Sequence, residues 1–309
     1  MKQILPFLLA ALLVLSACSS GKTTGTSDKD PFIGGTTGLT LAFEEDAPPA
    51  EVFDAGQYPF SAVVKLKNEG EFAVPKEKVT VTLSGILARE FGKTEVQLSQ
   101  RPADNLEPMR KEADGGIVDS NPVFVSFDDL EYQTALTGNT EFTLRADVCY
   151  TYGTTAVSKL CVRKNNLDTD EGVCTVNEAK SVFSSGAPIQ VTDFKESARS
   201  RDKISFTFMV QKAGTGDLFQ QTSACGNDRR FEDKVWVEVT TGIDGLECTG
   251  LSEGTMSTGY MTLYGDSKPI TCTQTVTTSS DYEKEVKVKL VYDYEETQST
   301  TLLVKRSNS

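Results

Sequence analysis

Apolar residues recur at every second position along much of this chain, whereas the three-and-four spacing of an amphipathic helix is rare. Phe60, Ala62, Val64 and Leu66 alternate with Ser61, Val63, Lys65 and Lys67, and the run stops at Asn68-Glu69-Gly70. Ile204, Phe206, Phe208 and Val210 repeat the pattern 144 residues later and stop at Lys212-Ala213-Gly214. Val79, Val81 and Leu83 are matched by Val235, Val237 and Val239 at an offset of 156, the extra residues including Cys225. A period of two predicts strands with one buried face, closed by Gly, Asn and Asp turns.

The closest internal match lies at the ends of the two copies. Leu144, Ala146, Val148, Tyr150 and Tyr152 align with Val286, Val288, Leu290, Tyr292 and Tyr294 at an offset of 142. The same offset carries Leu160-Cys161-Val162-Arg163 onto Leu302-Leu303-Val304-Lys305. This predicts a strand, a turn near Thr155 and a second strand in each copy. The expected fold is all-β, with two tandem immunoglobulin-like antiparallel sandwiches of about seven strands each. Their expected bounds are 37–165 and 186–309, joined by an interdomain segment at 166–185.

The chain starts differently. Lys2 precedes an apolar run from Ile4 to Leu15, and small residues lead to Cys18. That order is expected of a secretory signal peptide over residues 1–17, the apolar run being too short to cross a bilayer. Leu15-Ser16-Ala17-Cys18 resembles the lipobox of prokaryotic lipoproteins, which implies lipid on the Cys18 sulfur. Residues 19–30 hold no apolar side chain, and 18–36 reads as a flexible tether. The implied location is extracytoplasmic, on the outer face of the cell membrane, with the membrane itself as a partner through the lipid.

The strand ending in Asn68-Glu69-Gly70 resembles adhesion-type sandwich modules often called CARDB-like. With Gly34-Gly35-Thr36-Thr37-Gly38-Leu39 after the tether, the arrangement is similar to predicted surface lipoproteins of small-genome archaea. The resemblance covers most of the mature chain through individually weak motifs, and the second copy departs from it at Lys212-Ala213. It implies neither enzyme activity nor a defined ligand.

Composition narrows the chemistry. A formal net charge of −13 argues against nucleic acid, which needs clustered Lys and Arg. The chain has no histidine, so Ser-His-Asp machinery and imidazole metal sites are excluded. The carboxylate runs Glu44-Glu45-Asp46, Asp128-Asp129 and Glu295-Glu296 place neighbours on opposite strand faces, a poor basis for a converging catalytic pair. Neither a cofactor nor a metal is expected. Asp168-Thr169-Asp170-Glu171-Gly172 resembles the start of a calcium loop but lacks its terminal Glu, so an acidic turn and a calcium site both stay open.

Seven cysteines leave six once Cys18 is set aside, and export makes disulfides the natural reading. Cys149 and Cys161 stand equally far from the expected turn at Thr155 and should face each other across that hairpin. Cys248–Cys272 would lie within the second copy, and Cys174–Cys225 would clip the interdomain segment to the second copy. Among candidate binding residues, Trp236 is the only tryptophan and shares a strand face with Glu238 and Thr240. It could meet a sugar or a protein, or lie beneath the insertion that holds Cys225. The insertion from Gln100 to Asn121, with Arg101 and Arg110, reads equally as a recognition loop and as an inert one. The expected function is a non-enzymatic, lipid-anchored surface protein serving adhesion, envelope assembly or scaffolding, with an envelope protein or polysaccharide as partner. The alternative is a solute- or polysaccharide-binding lipoprotein of a membrane complex.

Overall fold

The alternating runs are strands, and the alternation is their burial. In a computed structural model, which describes residues 30–170, 172–226 and 228–307, every second residue of Phe60–Asn68 is buried. The same holds for Val79–Ser84 and for Lys234–Val239. The signal peptide, Cys18, most of the tether and Glu171 lie outside the described residues.

The first half of the chain holds β1 (Leu39–Phe43), β2 (Glu51–Phe53), β3 (Phe60–Asn68), β4 (Val79–Ser84) and β5 (Ser99–Gln100). It continues with β6 (Arg110–Lys111), β7 (Ile117–Val118), β8 (Val123–Leu130) and β9 (Thr140–Val162). The second half holds β10 (Phe183–Ser184), β11 (Ile189–Ser200), β12 (Lys203–Lys212), β13 (Asp217–Phe219) and β14 (Lys234–Thr240). It ends with β15 (Leu246–Thr249), β16 (Thr258–Thr262), β17 (Ser267–Thr275) and β18 (Tyr282–Lys305). The fold is all-β. One sheet runs β1-β3-β8 and another β11-β12-β17-β15. A nine-stranded sheet runs β16-β14-β18-β9-β4-β5, with β10 on β9 and β13 and β2 on β18. Among the described strands, the β2–β18 pairing alone is parallel.

Two expectations change here. The expected hairpin at Thr155 is absent. β9 passes through Gly153-Thr154-Thr155 as one extended strand, and all of its residues pair with β18. The β-branched Thr154, Thr155 and Val157 favour extended backbone, and the edge that a hairpin would have paired locally is paired instead with the other copy. Nor do the copies stand as separate bodies joined by 166–185. From Pro31 onward the chain forms one compact unit, and β10 of that segment is a strand on β9. The last part of the tether is fixed as well: Ile33 and Gly34 N–H donate to the Glu71 carboxylate at 2.9 and 3.0 Å.

The duplication survives as symmetry. The 142-residue offset maps Thr151 onto Asp293, and these two residues face each other in the β9–β18 ladder. An antiparallel pair has a local two-fold axis, so the copies are related about this point. Tyr150 opposes Tyr294, and Tyr152 opposes Tyr292. All four rings are buried. Their hydroxyls reach across to the facing sheets in matched ways. Leu39 N–H donates to Tyr150 Oη at 3.4 Å, and Ile189 N–H donates to Tyr292 Oη at 3.3 Å. Tyr150 Oη donates to Glu296 at 3.0 Å, while Thr154, at the position equivalent to Glu296, lies 3.3 Å from Tyr292 Oη. Tyr152 Oη donates to Asn68 Oδ1 at 2.9 Å, and Gly216 N–H donates to Tyr294 Oη at 2.8 Å. Burial raises all four phenol pKa values, so the hydroxyls stay protonated and able to donate.

Gly153 holds a place in this ladder that no side chain fits. A Cβ there would meet the Phe72 ring at 2.6 Å and the Leu290 carbonyl at 3.0 Å. Gly153→Val should lower the unfolding free energy by roughly 1–3 kcal/mol through overpacking. Urea denaturation of the oxidised protein measures it, and unchanged stability would show that Phe72 swings away freely.

Candidate functional site

The disulfides differ from the expected set in two of three bonds. Cys248 and Cys272 face each other in the β15–β17 ladder and are bonded, as expected. Cys149 bonds Cys225, and Cys161 bonds Cys174. Cys149–Cys161 cannot form: with no turn between them they lie on one strand twelve residues apart, about 40 Å. That separation also releases Cys174 and Cys225 from each other. The Cys161–Cys174 bond closes a loop after β9, and Cys149–Cys225 ties the first half to a loop of the second.

The loop held by Cys225 lies over the two-fold point. Ala224 N–H donates to Asp293 Oδ2 at 3.1 Å, and Thr151 Oγ1 donates to Asp293 Oδ1 at 2.7 Å. Asp293 is thereby buried between its own ladder partner and the loop. Thr222, Ala224 and Cys225 all have positive φ, a conformation that costs non-glycine residues about 1 kcal/mol or more each. The disulfide and the bond to Asp293 hold it in place. Beside the loop, Thr80, Arg101, Cys149 and Thr151 line a cavity of about 200 Å³.

Trp236 sits on the same face of this sheet. It is half-buried, opposite Val291 on one side and Tyr260 on the other. The Trp236 and Tyr260 rings meet edge to face at 4.9 Å, and Gln221 of the loop donates to Tyr260 Oη at 3.2 Å. Arg101 and Trp236 are therefore on one face, flanking the loop. Arg110 is not with them: it lies at the β6–β7 ribbon, exposed and paired with Glu107 at 2.7 Å. The Gln100–Asn121 insertion is pinned to the body through Leu106, which is buried, bridges Val74 and accepts from Asn68 Nδ2.

The acidic turn uses its oxygens internally. The backbone carbonyls of Asp168 and Asp170 each accept from Arg163 Nη1 at 3.0 Å, and Arg163 also pairs with Asp281 at 3.2 Å. Asn165 donates to the Asp168 carboxylate. The Arg163 guanidinium thus engages the carbonyl oxygens of this turn. Among the described residues no group of three or more Cys, Asp or Glu could hold a metal ion.

One buried carboxylate escaped the sequence reading. Glu196 is fully buried, and both its oxygens accept the Cys161 N–H, at 3.1 and 3.0 Å. Lys180 Nζ stands 3.6 Å away. A register shift between Thr192 and Lys195 turns Phe194 and Glu196 inward, where strict alternation from Val191 would face them outward. The positive φ of Asp193 marks that bulge, and Asp is the one local residue type that tolerates it readily. Glu196 caps an outward N–H at the end of β9, so its role is to close an edge.

No protein-family model matches the chain, and no curated protein is significantly similar to it.

Burial pushes the Glu196 carboxyl up to about 8, against the Cys161 N–H and Lys180, which pull it down. A raised carboxyl pKa favours the folded state below the ordinary value of 4.5, and that advantage is lost as pH rises toward 8. The stability difference between the wild type and Glu196→Gln should accordingly move against the wild type by on the order of 1–3 kcal/mol between pH 4.5 and 8. Denaturant titrations at the two pH values test this, and a pH-independent difference would refute it. A second expectation concerns the loop. Cys149→Ser with Cys225→Ser should cost about 2–4 kcal/mol and release the loop. The single tryptophan then reports it by red-shifted emission and stronger acrylamide quenching; an unchanged spectrum would place the loop's hold elsewhere.

Proposed function

We propose that the chain is a non-enzymatic, lipid-anchored surface protein. Two immunoglobulin-like sandwiches, fused through one shared sheet, would present a rigid scaffold for adhesion or envelope assembly. The observation that carries this reading is the set of three cystines, one of which joins the two halves across their symmetry point. Disulfides persist in oxidising, extracytoplasmic compartments, and a reducing cytosol would leave these cysteines as thiols. The lipobox-like Leu15-Ser16-Ala17-Cys18 supports attachment to the outer face of the membrane. The polar residues 19–30 support a stand-off from it.

The long shared ladder suits load-bearing. In an antiparallel ladder the hydrogen bonds lie across the strands, so pulling β9 and β18 past each other strains many of them together. Asp293, the Cys225 loop and the four tyrosines sit at the centre of that shear plane and are used for packing.

Expression of the full chain in a bacterial host fed an alkyne-tagged fatty acid tests the anchor. The wild type should carry the tag and be cut by protease added to intact cells, and Cys18→Ser should carry none. Alkylation without reduction should find no free thiol in the mature wild type. An untagged chain with six alkylated cysteines inside the cell would overturn the reading.

A further inference from the structure

The outer edge of β18 is covered at both ends and bare between them. β13 pairs with it at Asp293–Glu295 and β2 at Leu303–Lys305. From Glu296 to Leu302 that edge has no strand partner among the described residues. Leu303 N–H donates outward to the Ala50 carbonyl at 3.1 Å, and Lys305 O accepts from Asp54 N–H at 3.0 Å. Alternation along the strand therefore directs the N–H and C=O groups of Thr297, Ser299 and Thr301 the same way. All three residues are exposed, and the Ser299 carbonyl meets the neighbouring Gln298 amide at 3.4 Å. Open backbone groups of this kind template another strand.

The matching place in the other half is occupied. The 142-residue offset takes Thr297 and Ser299 to Thr155 and Val157. There β10 lies antiparallel, with Phe183 opposite Val157 and Ser184 opposite Ala156. Ser185 N–H donates to the Thr155 carbonyl at 2.9 Å. The segment before β1, which would be the counterpart of β10, runs elsewhere: Ile33 and Gly34 bind Glu71, and the Gly35 carbonyl accepts from Ala187. Among the described residues, the fold thus builds two equivalent strand slots and fills one.

The chemistry around the open slot is acidic. A groove of about 450 Å³ runs beside it, lined by Thr40 and Leu41 of β1, by Gly216 and Asp217, and by Glu295 and Glu296. Burial, then Asp147 and Asp217, push the Glu295 carboxyl above its ordinary range, and burial does the same for Glu296. A cation entering the groove would relieve that crowding.

We propose that the β18 edge from Thr297 to Thr301 accepts an extended, Lys- or Arg-bearing segment of a partner protein as an added antiparallel strand. This deepens the scaffold reading by naming the partner's chemistry. It rests on that reading only for where the partner is met, so failed lipid labelling and failed strand binding remain separate results.

The probe is a synthetic peptide of residues 179–186, Ala-Lys-Ser-Val-Phe-Ser-Ser-Gly, the segment that fills the equivalent slot and carries a lysine. Added to the oxidised full chain, it should bind saturably and slow amide hydrogen exchange at Thr297, Ser299 and Thr301. Ser299→Pro removes one outward N–H without touching the ladder to β9, and should weaken binding about tenfold or more. Asp217→Asn with Glu295→Gln should weaken it several-fold, an effect absent when the peptide lysine is acetylated. Binding equal to that of a scrambled peptide, protection elsewhere, or a folded Ser299→Pro protein that binds normally would overturn the proposal. So would slow exchange at these amides before peptide is added, which would assign the slot to the chain's own N-terminal segment. Should Ser299→Pro fail to fold, the exchange measurement on the unmodified chain decides alone.

Discussion

Everything else in this molecule is arranged around the antiparallel ladder between β9 and β18. Two strands of this length, paired throughout, join strands of both halves into one nine-stranded sheet, against which each half keeps one smaller sheet of its own. Separating them would expose a row of backbone donors and acceptors and four buried tyrosines together. The pairing of Thr151 with Asp293, which are equivalent residues of the two copies, is what a self-complementary interface looks like when both partners belong to one chain. The tyrosines extend that constraint outward, since their hydroxyls bind β1, β3 and β11 or the turn before β13. The central sheet and its two covering sheets are therefore held in one register.

The departures from symmetry are as informative as the symmetry. Gly153 takes the place that Glu295 holds in the other copy, and Phe72 packs against it. Thr154 stands where Glu296 does, so a hydroxyl in one half replaces a carboxylate in the other. β10 closes a slot that no described residue fills on β18, and Glu196 closes the end of β9 where β2 closes the end of β18. One half is thus sealed by elements of its own chain, and the other is left polar, acidic and accessible. Duplicated halves that diverge in this way can keep a common scaffold while only one of them keeps a surface for contact.

The candidate residues named from composition divide along the same lines. Trp236 and Arg101 share the face on which the Cys225 loop lies, because both lie on strands of the nine-stranded sheet or beside it. Arg110 is carried away on a separate ribbon, and the Asp168–Asp170 turn is organised by Arg163. Spacing could not separate these cases, since each depends on which strand ends up beside which. Glu196 shows the reverse failure, where a bulge inverts the face that alternation assigns.

Local chemistry alone determined a good deal of this protein. Period-two alternation identified β3, β4, β12 and β14, and the buried residues it named are buried. The offset of 142 relates Tyr150 to Tyr292 and Tyr152 to Tyr294, and all four are buried. Cys248 and Cys272 also lie where facing cysteines of one sheet would be expected to bond. What tertiary structure decided was partnership. A strand's outer edge satisfies its hydrogen bonds equally well against its own hairpin or against a distant copy, and nothing in its alternation chooses between them. Here the distant copy prevailed, which straightened β9, moved Cys149 and Cys161 about 40 Å apart, and made a shared sheet out of what reads as two domains.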